Sequence, residues 1–282
     1  MPRITVATLN LRKGEVRWGE RAPLLMKQLV ALRPHVIGLQ EIDLRIDQGN
    51  WIRHRFNDLT AGTSDRESWI DEGGWIGQRE NNEEPAAGES AIYHISNPRD
   101  RVSLEALGIM TRLPVIAHAG FDYLFRNRVA HRVRVHAGGT FLDFYNTHFH
   151  HEQDAAGNHV RHQQAEKLVA WMDGHGWDVP KVLVGDFNSP PGTRPVRIIE
   201  ERLGSAYSVL HGQEPSATIP TPLIPQEEWP PDWPKGVTVD YIFVSPSIRV
   251  LDARLVFVEP DPSDPALYPS DHYGLAATIE FD

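Results

Sequence analysis

The chain has 282 residues, of which 40% are hydrophobic, and it carries a formal net charge of -10 at pH 7. It contains no cysteine, which excludes disulfides, thiolate zinc sites, iron–sulfur clusters and cysteine nucleophiles. The negative charge gives no help in approaching a polyanion and so argues against an unspecific grip on DNA, although a bound cation can still attract a small phosphorylated substrate.

The N-terminal part of the chain predicts a strand, a helix and a second strand. An apolar strand is expected at 4–11, and a helix at 21–33 carries leucines at spacings of four and three. Pro34 stops this helix, and a short apolar run at 36–39 then leads directly to Glu41. No apolar signal segment precedes these elements, and no stretch reaches the about 18 apolar residues of a membrane span. We therefore expect a cytoplasmic protein with no membrane partner, whose oligomeric state the sequence leaves open.

The rest of the chain alternates predicted strands and helices with two long irregular stretches. Further strands are predicted at 107–111, 115–119, 128–136, 140–148, 182–185, 239–244, 249–258 and 273–279, and helices at 159–173 and 196–203. The stretches 57–105 and 213–235 lack periodicity and are expected to be long loops, which are often functional. Because no repeat or linker is visible, we expect a single domain over residues 1–282.

Polar residues stand where the predicted strands begin or end. They are Asn10, Glu41, Asp186 with Asn188, Asp240, and Asp271 with His272. Active groups are preferentially placed where rigid strands give way to loops. We therefore expect these side chains to meet in one site.

These residue types suit the hydrolysis of phosphoesters. A phosphoester is anionic and repels a nucleophile, and a hard divalent cation bound by carboxylate oxygen neutralises that charge. Glu41 and Asp271 are the best ligand candidates, while Asp186 suits either the metal or the attacking water. His272 can act on a proton or hold a phosphate oxygen, and Asp240 is the natural partner to fix its tautomer.

The motifs together resemble those of a known superfamily. The chain resembles the endonuclease/exonuclease/phosphatase superfamily, which has the DNase I-like fold, in the ordered set Asn10, Gln40-Glu41, Asn146-Thr147-His148, Gly185-Asp186-Phe187-Asn188, Asp240-Tyr241-Ile242 and Ser270-Asp271-His272. The Gly-Asp-Phe-Asn motif followed by a late Ser-Asp-His is highly specific. The resemblance implies an α/β (α+β) fold, a four-layer αββα sandwich in which two mixed β-sheets pack face to face with helices outside. It also implies a Mg²⁺ or Mn²⁺ site at the top of the sheets.

The resemblance further implies a metal site built on three residues. Glu41 is expected to be the principal metal ligand, with Asp271 on or near the metal. Asn10 belongs to the same site, where it orients the metal's surroundings or the phosphate.

The other motif residues are implied to be catalytic. Asp186 positions or deprotonates the attacking water, and Asn188 holds the phosphate. His272, oriented by Asp240, contacts the phosphate or acts as the base, while His148 serves as general acid or binds a phosphate oxygen. The resemblance leaves open whether Asp186 or His272 takes the proton of the water.

The fold does not fix the substrate. We expect a phosphodiesterase or phosphatase that acts on a small phosphorylated metabolite or nucleotide, with two alternatives: a nuclease on DNA or RNA, and a catalytically inactive binding protein of the same fold. An inactive member is expected to lose Glu41, Asp186 or His272, and this chain keeps all three. Arginines at 126, 128, 132 and 134 are expected to share a strand face, either as a local basic stripe or as an ordinary solvated face.

Aromatic and histidine clusters leave further alternatives. The long loops carry Trp69, Trp75, Trp229 and Trp233, which are expected either to stack on a ring of the substrate at the rim of the site or to pack beside prolines. In the run from His148 to His151, only two of the three histidines can converge on one face of a strand. We therefore do not expect a dedicated zinc site there.

Overall fold

The computed structural model of the protein describes residues 1–14, 16–61, 90–96, 104–229 and 234–282. The helices are α1 (Trp18–Leu32), α2 (Gln48–Thr60), α3 (Ala155–Asp173), α4 (Arg194–Glu200) and α5 (Ala206–His211). The strands are β1 (Arg3–Asn10), β2 (Val36–Asp43), β3 (Ala91–Ser96), β4 (Glu105–Thr111), β5 (Val115–Asp122), β6 (Val129–Ala137), β7 (Thr140–His148), β8 (Lys181–Asp186), β9 (Gly204–Ser205), β10 (Asp240–Val244), β11 (Arg249–Val256) and β12 (Gly274–Glu280).

The described strands form two mixed six-stranded sheets. One sheet has the order β11-β12-β1-β2-β4-β3, and the other has the order β5-β6-β7-β8-β10-β9. Most neighbours are antiparallel, but β1 with β2 and β7 with β8 are parallel. Each sheet therefore has a central pair of strands whose carboxyl ends lie side by side.

Apolar side chains hold four layers together. Val6 and Ile109 of the first sheet pack against Val133 and Phe144 of the second, and these residues belong to the core between the sheets. A second cluster joins the first sheet to α1 and α2, and a third joins the second sheet to α3 and α4. This arrangement is the predicted four-layer αββα sandwich, and the fold-class prediction is confirmed.

Most predicted elements are present with small shifts at their ends. The helix expected at 21–33 begins three residues earlier, at Trp18, and ends before Pro34 as predicted. The helix expected at 159–173 begins at Ala155, where Asp154 caps it by accepting from the backbone N–H of Gly157 at 2.7 Å. The two glycines at 138–139 form the predicted hairpin between β6 and β7.

The prediction of one irregular loop over 57–105 is wrong where the structure describes this stretch. Helix α2 extends through Thr60, and β3 is the edge strand of the first sheet. In β3, Tyr93 faces the core between the sheets and Ile92 faces the helices, so both faces are apolar and the strand lacks the alternation of a half-buried one. Trp69, Trp75 and Trp233 lie outside the described residues.

No helix in the described parts of the chain is both long and apolar enough to span a bilayer.

Candidate active site

The strand pairing brings the predicted residues to one end of the two sheets. Asn10 is paired with Gln40 at the ends of the parallel strands β1 and β2. On the facing sheet, Asp186 is paired with His148 across the parallel β7–β8 ladder and with Asp240 across the antiparallel β8–β10 ladder. The segment before β12 returns to the same end because Leu275 pairs with Thr8, and it carries Asp271 and His272.

A glycine makes the close pairing of β7 and β8 possible. A Cβ on Gly185 would lie 2.1 Å from the carbonyl oxygen of Thr147, and Gly185 has a φ of 148°. No larger residue fits there without moving the backbone. The glycine of the Gly-Asp-Phe-Asn motif therefore sets the position of Asp186, which follows it.

Glu41 projects from a break in the regular ladder. The pairing of β2 with β4 shifts register between Leu39 and Ile42, and Glu41 at this point has a φ of 55°. Positive φ is unusual for a residue that is not glycine and is often found at functional sites. The bulge aims the Glu41 side chain, which is 24% exposed, toward the end of the sheets.

A buried amide layer lies beneath Glu41. The Asn146 side chain donates to the carbonyl oxygens of Leu39 and Gly108, both at 2.9 Å, and accepts from Nε2 of Gln40 at 2.6 Å. Asn146 comes from one sheet and its partners come from the other. This layer therefore links the sheets at the bulge that presents Glu41.

Asp186 stands at the centre of the site. Its Oδ2 atom accepts a hydrogen bond from Nδ2 of Asn10 at 3.0 Å and lies 3.5 Å from Nε2 of His148 and 3.9 Å from Nε2 of His272. Its Oδ1 atom accepts from the backbone N–H of Asn188 at 2.8 Å. Burial, together with the charge of Asp240, raises the pKa of Asp186 above its ordinary value.

His272 is oriented by Asp240. Nδ1 of His272 lies 2.8 Å from Oδ2 of Asp240, which is the hydrogen bond that the sequence predicts. An ionised carboxylate only accepts, so Nδ1 carries the hydrogen and Nε2 faces Asp186. Burial alone would lower the pKa of His272, but the carboxylate of Asp240, supported by Asp271 and Asp186, outweighs it and raises the pKa to about 10.

His148 has a different partner. Its Nδ1 atom lies 2.9 Å from NH1 of Arg128, while its Nε2 atom faces Asp186 and lies 4.0 Å from Oε1 of Glu41. Burial and the positive charge of Arg128 lower the pKa of His148 well below its ordinary value. The two histidines therefore flank Asp186 in opposite electrostatic surroundings.

The predicted metal residues form a set of oxygen donors without nitrogen or sulfur. Glu41 and Asp271 are close enough that their charges interact, and burial, with the charges of Glu105 and Asp271, raises the pKa of Glu41. A bound divalent cation would relieve this crowding of negative charge, and carboxylate oxygen is the ligand that Mg²⁺ prefers. The donor set therefore fits the predicted Mg²⁺ or Mn²⁺.

Asn10 connects the two halves of the site. Its Nδ2 atom donates to Oε1 of Glu41 at 3.2 Å as well as to Asp186, and its Oδ1 atom accepts from the backbone N–H of Arg12 at 2.9 Å. In this orientation the amide presents hydrogens to the carboxylates. That arrangement suits the orienting role expected for Asn10, and direct ligation through its oxygen stays a prediction.

A second group of acidic side chains lies beside the first. Among the described residues, Asp186, Asp240 and His272 each offer one ligand atom within 4.8 Å of the others. Oδ2 of Asp240 is already used by His272, and its Oδ1 atom is buried with no hydrogen-bond partner in the part of the chain that the structure describes. These three side chains are therefore a second place, beside Glu41 and Asp271, at which a cation could be held.

The sequence analysis missed several charged neighbours of the site. NH1 of Arg12 lies 2.9 Å from Oδ2 of Asp271, and Glu105 pairs with both Lys13, at 3.0 Å, and Arg128, at 3.3 Å. These contacts join different elements of the fold, so no local sequence motif predicts them. The sequence pattern predicts Arg128 only as part of a basic stripe or a solvated face.

The buried Arg21 organises the loop that carries two of these cations. Its guanidinium donates to the carbonyl oxygens of Arg12 at 3.2 Å, Lys13 at 2.8 Å and Pro269 at 2.8 Å. Arg21 thereby joins the loop after β1 to the segment before Asp271.

Other predicted groupings are not formed. Arg132 and Arg134 both pair with the buried Asp143 at 2.7 Å, so they do not form a free basic stripe. Nε2 of His150 lies 2.9 Å from Glu152, outside the cluster around Asp186. The absence of a dedicated zinc site in the histidine run stays a prediction.

Part of the second long loop lies against the site. The backbone N–H of Thr221 donates to the carbonyl oxygen of Asp271 at 2.8 Å, and the hydroxyl of Thr218 accepts from the N–H of Asp240 at 3.2 Å. The ring N–H of Trp229 donates to the carbonyl oxygen of Pro234, within its own loop. The loop thus supports Asp240 and Asp271, while a contact of Trp229 with substrate stays a prediction.

Comparisons with known proteins agree with this geometry. The sequence model described as Endonuclease/Exonuclease/phosphatase family matches residues 7–272. Nocturnin of Drosophila melanogaster is 22% identical over an alignment of 286 residues, gaps included. The alignment covers 93% of this chain and 42% of that protein. The chain thus spans less than half the length of this relative.

Solved structures share the fold. The structure of D. rerio TDP2 with a single strand DNA product has a TM-score of 0.72 at 15% identity and covers 99% of each chain. A mannosyl-6-phosphatase of Bacteroides thetaiotaomicron has a TM-score of 0.68 at 17% identity and covers 99% of this chain and 100% of its own.

Proposed function

Because this chain belongs to the endonuclease/exonuclease/phosphatase family, whose members are phosphoester hydrolases, we propose that it hydrolyses a small phosphorylated metabolite or nucleotide with Mg²⁺ or Mn²⁺. The observation that carries the proposal is the surroundings of Oδ2 of Asp186. This one oxygen faces an amide donor from Asn10 and the Nε2 atoms of His148 and His272. A site with a central carboxylate and convergent donors suits the activation of water beside an anionic group.

Glu41 and Asp271 would hold the cation, with Asn10 orienting both halves of the site. When bound, the cation neutralises the phosphate charge and stabilises the leaving oxygen. NH1 of Arg12 donates a hydrogen bond to Oδ2 of Asp271, and this pairing limits the rotation of the Asp271 carboxylate. Enzymes of this family depend on divalent metal ions, and the choice of Mg²⁺ or Mn²⁺ follows from the oxygen donors.

Asp186 is the better candidate for taking the proton of the attacking water. Its raised pKa brings it nearer to neutral pH, where a general base works most efficiently. His272 is held by Asp240 in a form that favours the protonated ring. We therefore assign to His272 the binding of a phosphate oxygen and the stabilisation of its charge.

Asn188 and His148 complete the phosphate site in this proposal. The Asn188 amide uses one hydrogen for the carbonyl oxygen of Phe149, at 3.1 Å, and has a second one to offer. Nε2 of His148 faces the same region as Asp186. Both groups would bind oxygens of the phosphate.

The charge distribution favours a small substrate. The chain has a net charge of -10, and the arginines of β6 are neutralised by Asp143. A surface that tracks several phosphates needs free cations, because each neutralised phosphate adds to the salt-dependent part of the affinity. A small phosphoester needs only the site itself, and one neighbour of this fold is described as a mannosyl-6-phosphatase.

A nuclease is the second candidate. Three cations, Arg12, Lys13 and Arg128, lie next to the site, and D. rerio TDP2 is described with a single strand DNA product. An inactive binding protein is the third, and the complete set of Glu41, Asp186 and His272 argues against it.

A panel of phosphoesters tests the proposal. Nucleotides, sugar phosphates, inositol phosphates, single-stranded DNA and RNA are each assayed with Mg²⁺ and with Mn²⁺ at fixed ionic strength. We expect the highest kcat/KM on a small phosphoester. Turnover confined to the nucleic acids would replace this assignment with the nuclease, and no turnover of any member would favour the inactive binding protein.

A further inference from the structure

Arg128 makes a contact that determines which nitrogen of His148 carries hydrogen. The NH1 atom of Arg128 lies 2.9 Å from Nδ1 of His148, and both side chains are largely buried, at 14% and 4% exposed. A guanidinium has donors only and stays charged at any ordinary pH. Nδ1 must therefore accept through its lone pair, which leaves the ring hydrogen on Nε2.

The surrounding structure holds Arg128 in this position. A tight turn precedes β6, with Leu124, Arg126 and Asn127 at φ values of 65°, 51° and 56°. The turn is closed by backbone hydrogen bonds between Tyr123 and Arg128 at 3.3 Å and between Arg128 and Phe125 at 3.2 Å. The conformation of this turn thus fixes the position of the Arg128 backbone next to β6.

The same NH1 atom of the guanidinium is also held by an acid. Glu105 accepts from NH1 of Arg128 at 3.3 Å and pairs with Lys13 at 3.0 Å. One NH1 hydrogen can therefore go to Glu105 and the other to His148. The hydroxyls of Tyr123 and Thr147 form a hydrogen bond of 2.7 Å, and Thr147 directly precedes His148 in the chain.

We propose that Arg128 is a positioning residue that fixes His148 in its Nε2–H tautomer, so that the ring presents one N–H donor to a phosphate oxygen. A second ring hydrogen on Nδ1 would point straight at the guanidinium. His148 therefore acts by hydrogen bonding and does not deliver a proton to the leaving group. The proposal selects one of the two roles that the sequence leaves open for His148, and only the identity of the acceptor rests on the proposed phosphoester hydrolysis.

The other histidine is held at the same ring position by a group of opposite charge. His272 donates from Nδ1 to Asp240, and its Nε2 atom faces Asp186. The site thus contains one imidazole set by a carboxylate and one set by a guanidinium, on either side of Oδ2 of Asp186. Both rings therefore face the same oxygen through Nε2, but the carboxylate favours the protonated form of His272, whereas the guanidinium favours the neutral form of His148.

Nuclear magnetic resonance of the protein labelled with ¹⁵N-histidine tests the tautomer without metal or substrate. The His148 signals are identified by their loss in His148→Ala. We expect hydrogen on Nε2 and none on Nδ1 in the wild type, and a mixture that includes the Nδ1–H form in Arg128→Met. Arg128→Lys keeps a donor-only cation and should keep the wild-type tautomer. Arg126→Met removes a nearby arginine that pairs with Glu152 instead, and it should leave the His148 signals unchanged.

Kinetics with bis(p-nitrophenyl) phosphate and Mg²⁺ then test the consequence. We expect kcat to fall about 10–100-fold in Arg128→Met, as for other residues that orient a reactive group, with a smaller change in KM and with recovery in Arg128→Lys. An Nδ1–H tautomer in the wild type would overturn the proposal. So would an unchanged tautomer in Arg128→Met together with a raised KM, because Arg128 would then act directly on the substrate. If the wild type cleaves no phosphoester, the proposed function fails, while the tautomer result still decides the role of Arg128.

Discussion

Oδ2 of Asp240 lies 2.8 Å from Nδ1 of His272, and both side chains are buried at the end of the second sheet. The backbone N–H of Asp240 is itself held by the hydroxyl of Thr218. The acid is thus fixed from two sides, and it fixes the imidazole in turn. This pair sets the direction in which Nε2 of His272 faces Asp186.

Replacing His272 by alanine should lower kcat about 10²–10³-fold, the range for losing a donor that stabilises charge in the transition state. Asp240→Asn should cost less, about 10–100-fold, because it removes the orienting charge but leaves the ring. The measurement is kcat on the best phosphoester of the panel, with folding checked by circular dichroism. His159→Ala, on the exposed side of α3, is the matched control. Near-normal turnover in folded His272→Ala would show that its role is wrongly assigned.

Glu41→Gln should weaken Mn²⁺ binding by more than about 10–100-fold, which is the loss of affinity typical of replacing a residue that only orients a ligand. The reason is that Glu41 is expected to bind the ion itself. Titration of Mn²⁺ followed by electron paramagnetic resonance measures the affinity without any substrate. Glu166→Gln, on exposed α3, controls for the loss of a surface charge. Unchanged Mn²⁺ affinity in Glu41→Gln would remove Glu41 from the metal site.

Activity should depend weakly on ionic strength. A small phosphoester makes few charge contacts outside the site. For a nuclease that grips duplex DNA, the logarithm of the binding constant instead changes with the logarithm of the salt concentration by about -0.9 per phosphate contact. The measurement is KM between low and high salt on the best substrate, with the Mg²⁺ concentration held constant. A steep dependence, shared by a DNA substrate, would move the assignment to the nuclease.

The buried His131 should make the protein sensitive to acid. Among the described residues neither ring nitrogen has a hydrogen-bond partner, and burial, with the nearby His118 and His94 rings, lowers the pKa of His131 to about 3. A histidine in the unfolded chain has a pKa of about 6.5. Because the folded-state pKa lies below the unfolded one, the contribution of His131 to stability is complete above about pH 6.5 and declines as the pH falls toward the folded-state pKa.

Replacement of His131 by leucine should remove this decline. Relative to the wild type, the variant should gain about 2 kcal/mol of unfolding free energy between pH 7 and about pH 5, since each pH unit below about 6.5 costs about 1.4 kcal/mol. Urea denaturation at several pH values measures it. His136→Leu, at an exposed position of the same strand, is the matched control. A difference between His131→Leu and the wild type that does not change with pH would contradict the account.

The strand ends were the most predictable part of the site. Apolar strands that stop at Asp186 and Glu41 are visible in the sequence, and parallel pairing brings such ends together. The glycine at 185 marks the close approach of β7 and β8. Layered sheets with helices outside follow from the local patterns of apolar residues, whereas the four-layer sandwich was implied by the resemblance to a known family.

The charged surroundings were not predictable. Arg12 meets Asp271 from 259 positions away, and Glu105 joins Lys13 to Arg128. Contacts of this kind depend on how loops meet after the sheets have packed. The bulge at Glu41 is equally hidden, because it arises from the pairing of β2 with β4 and from no turn residue in the sequence.

The most direct test of the proposed function compares the wild type with Asp186→Asn on bis(p-nitrophenyl) phosphate, with Mg²⁺ and after exhaustive chelation. We predict that the wild type is active with Mg²⁺ and inactive after chelation, and that activity returns when Mg²⁺ or Mn²⁺ is added. Asp186→Asn should bind Mn²⁺ but lose kcat by about 10²–10⁴-fold, because the carboxylate is expected to take the proton of the water. Full activity after chelation, or wild-type kcat in folded Asp186→Asn, would contradict the account.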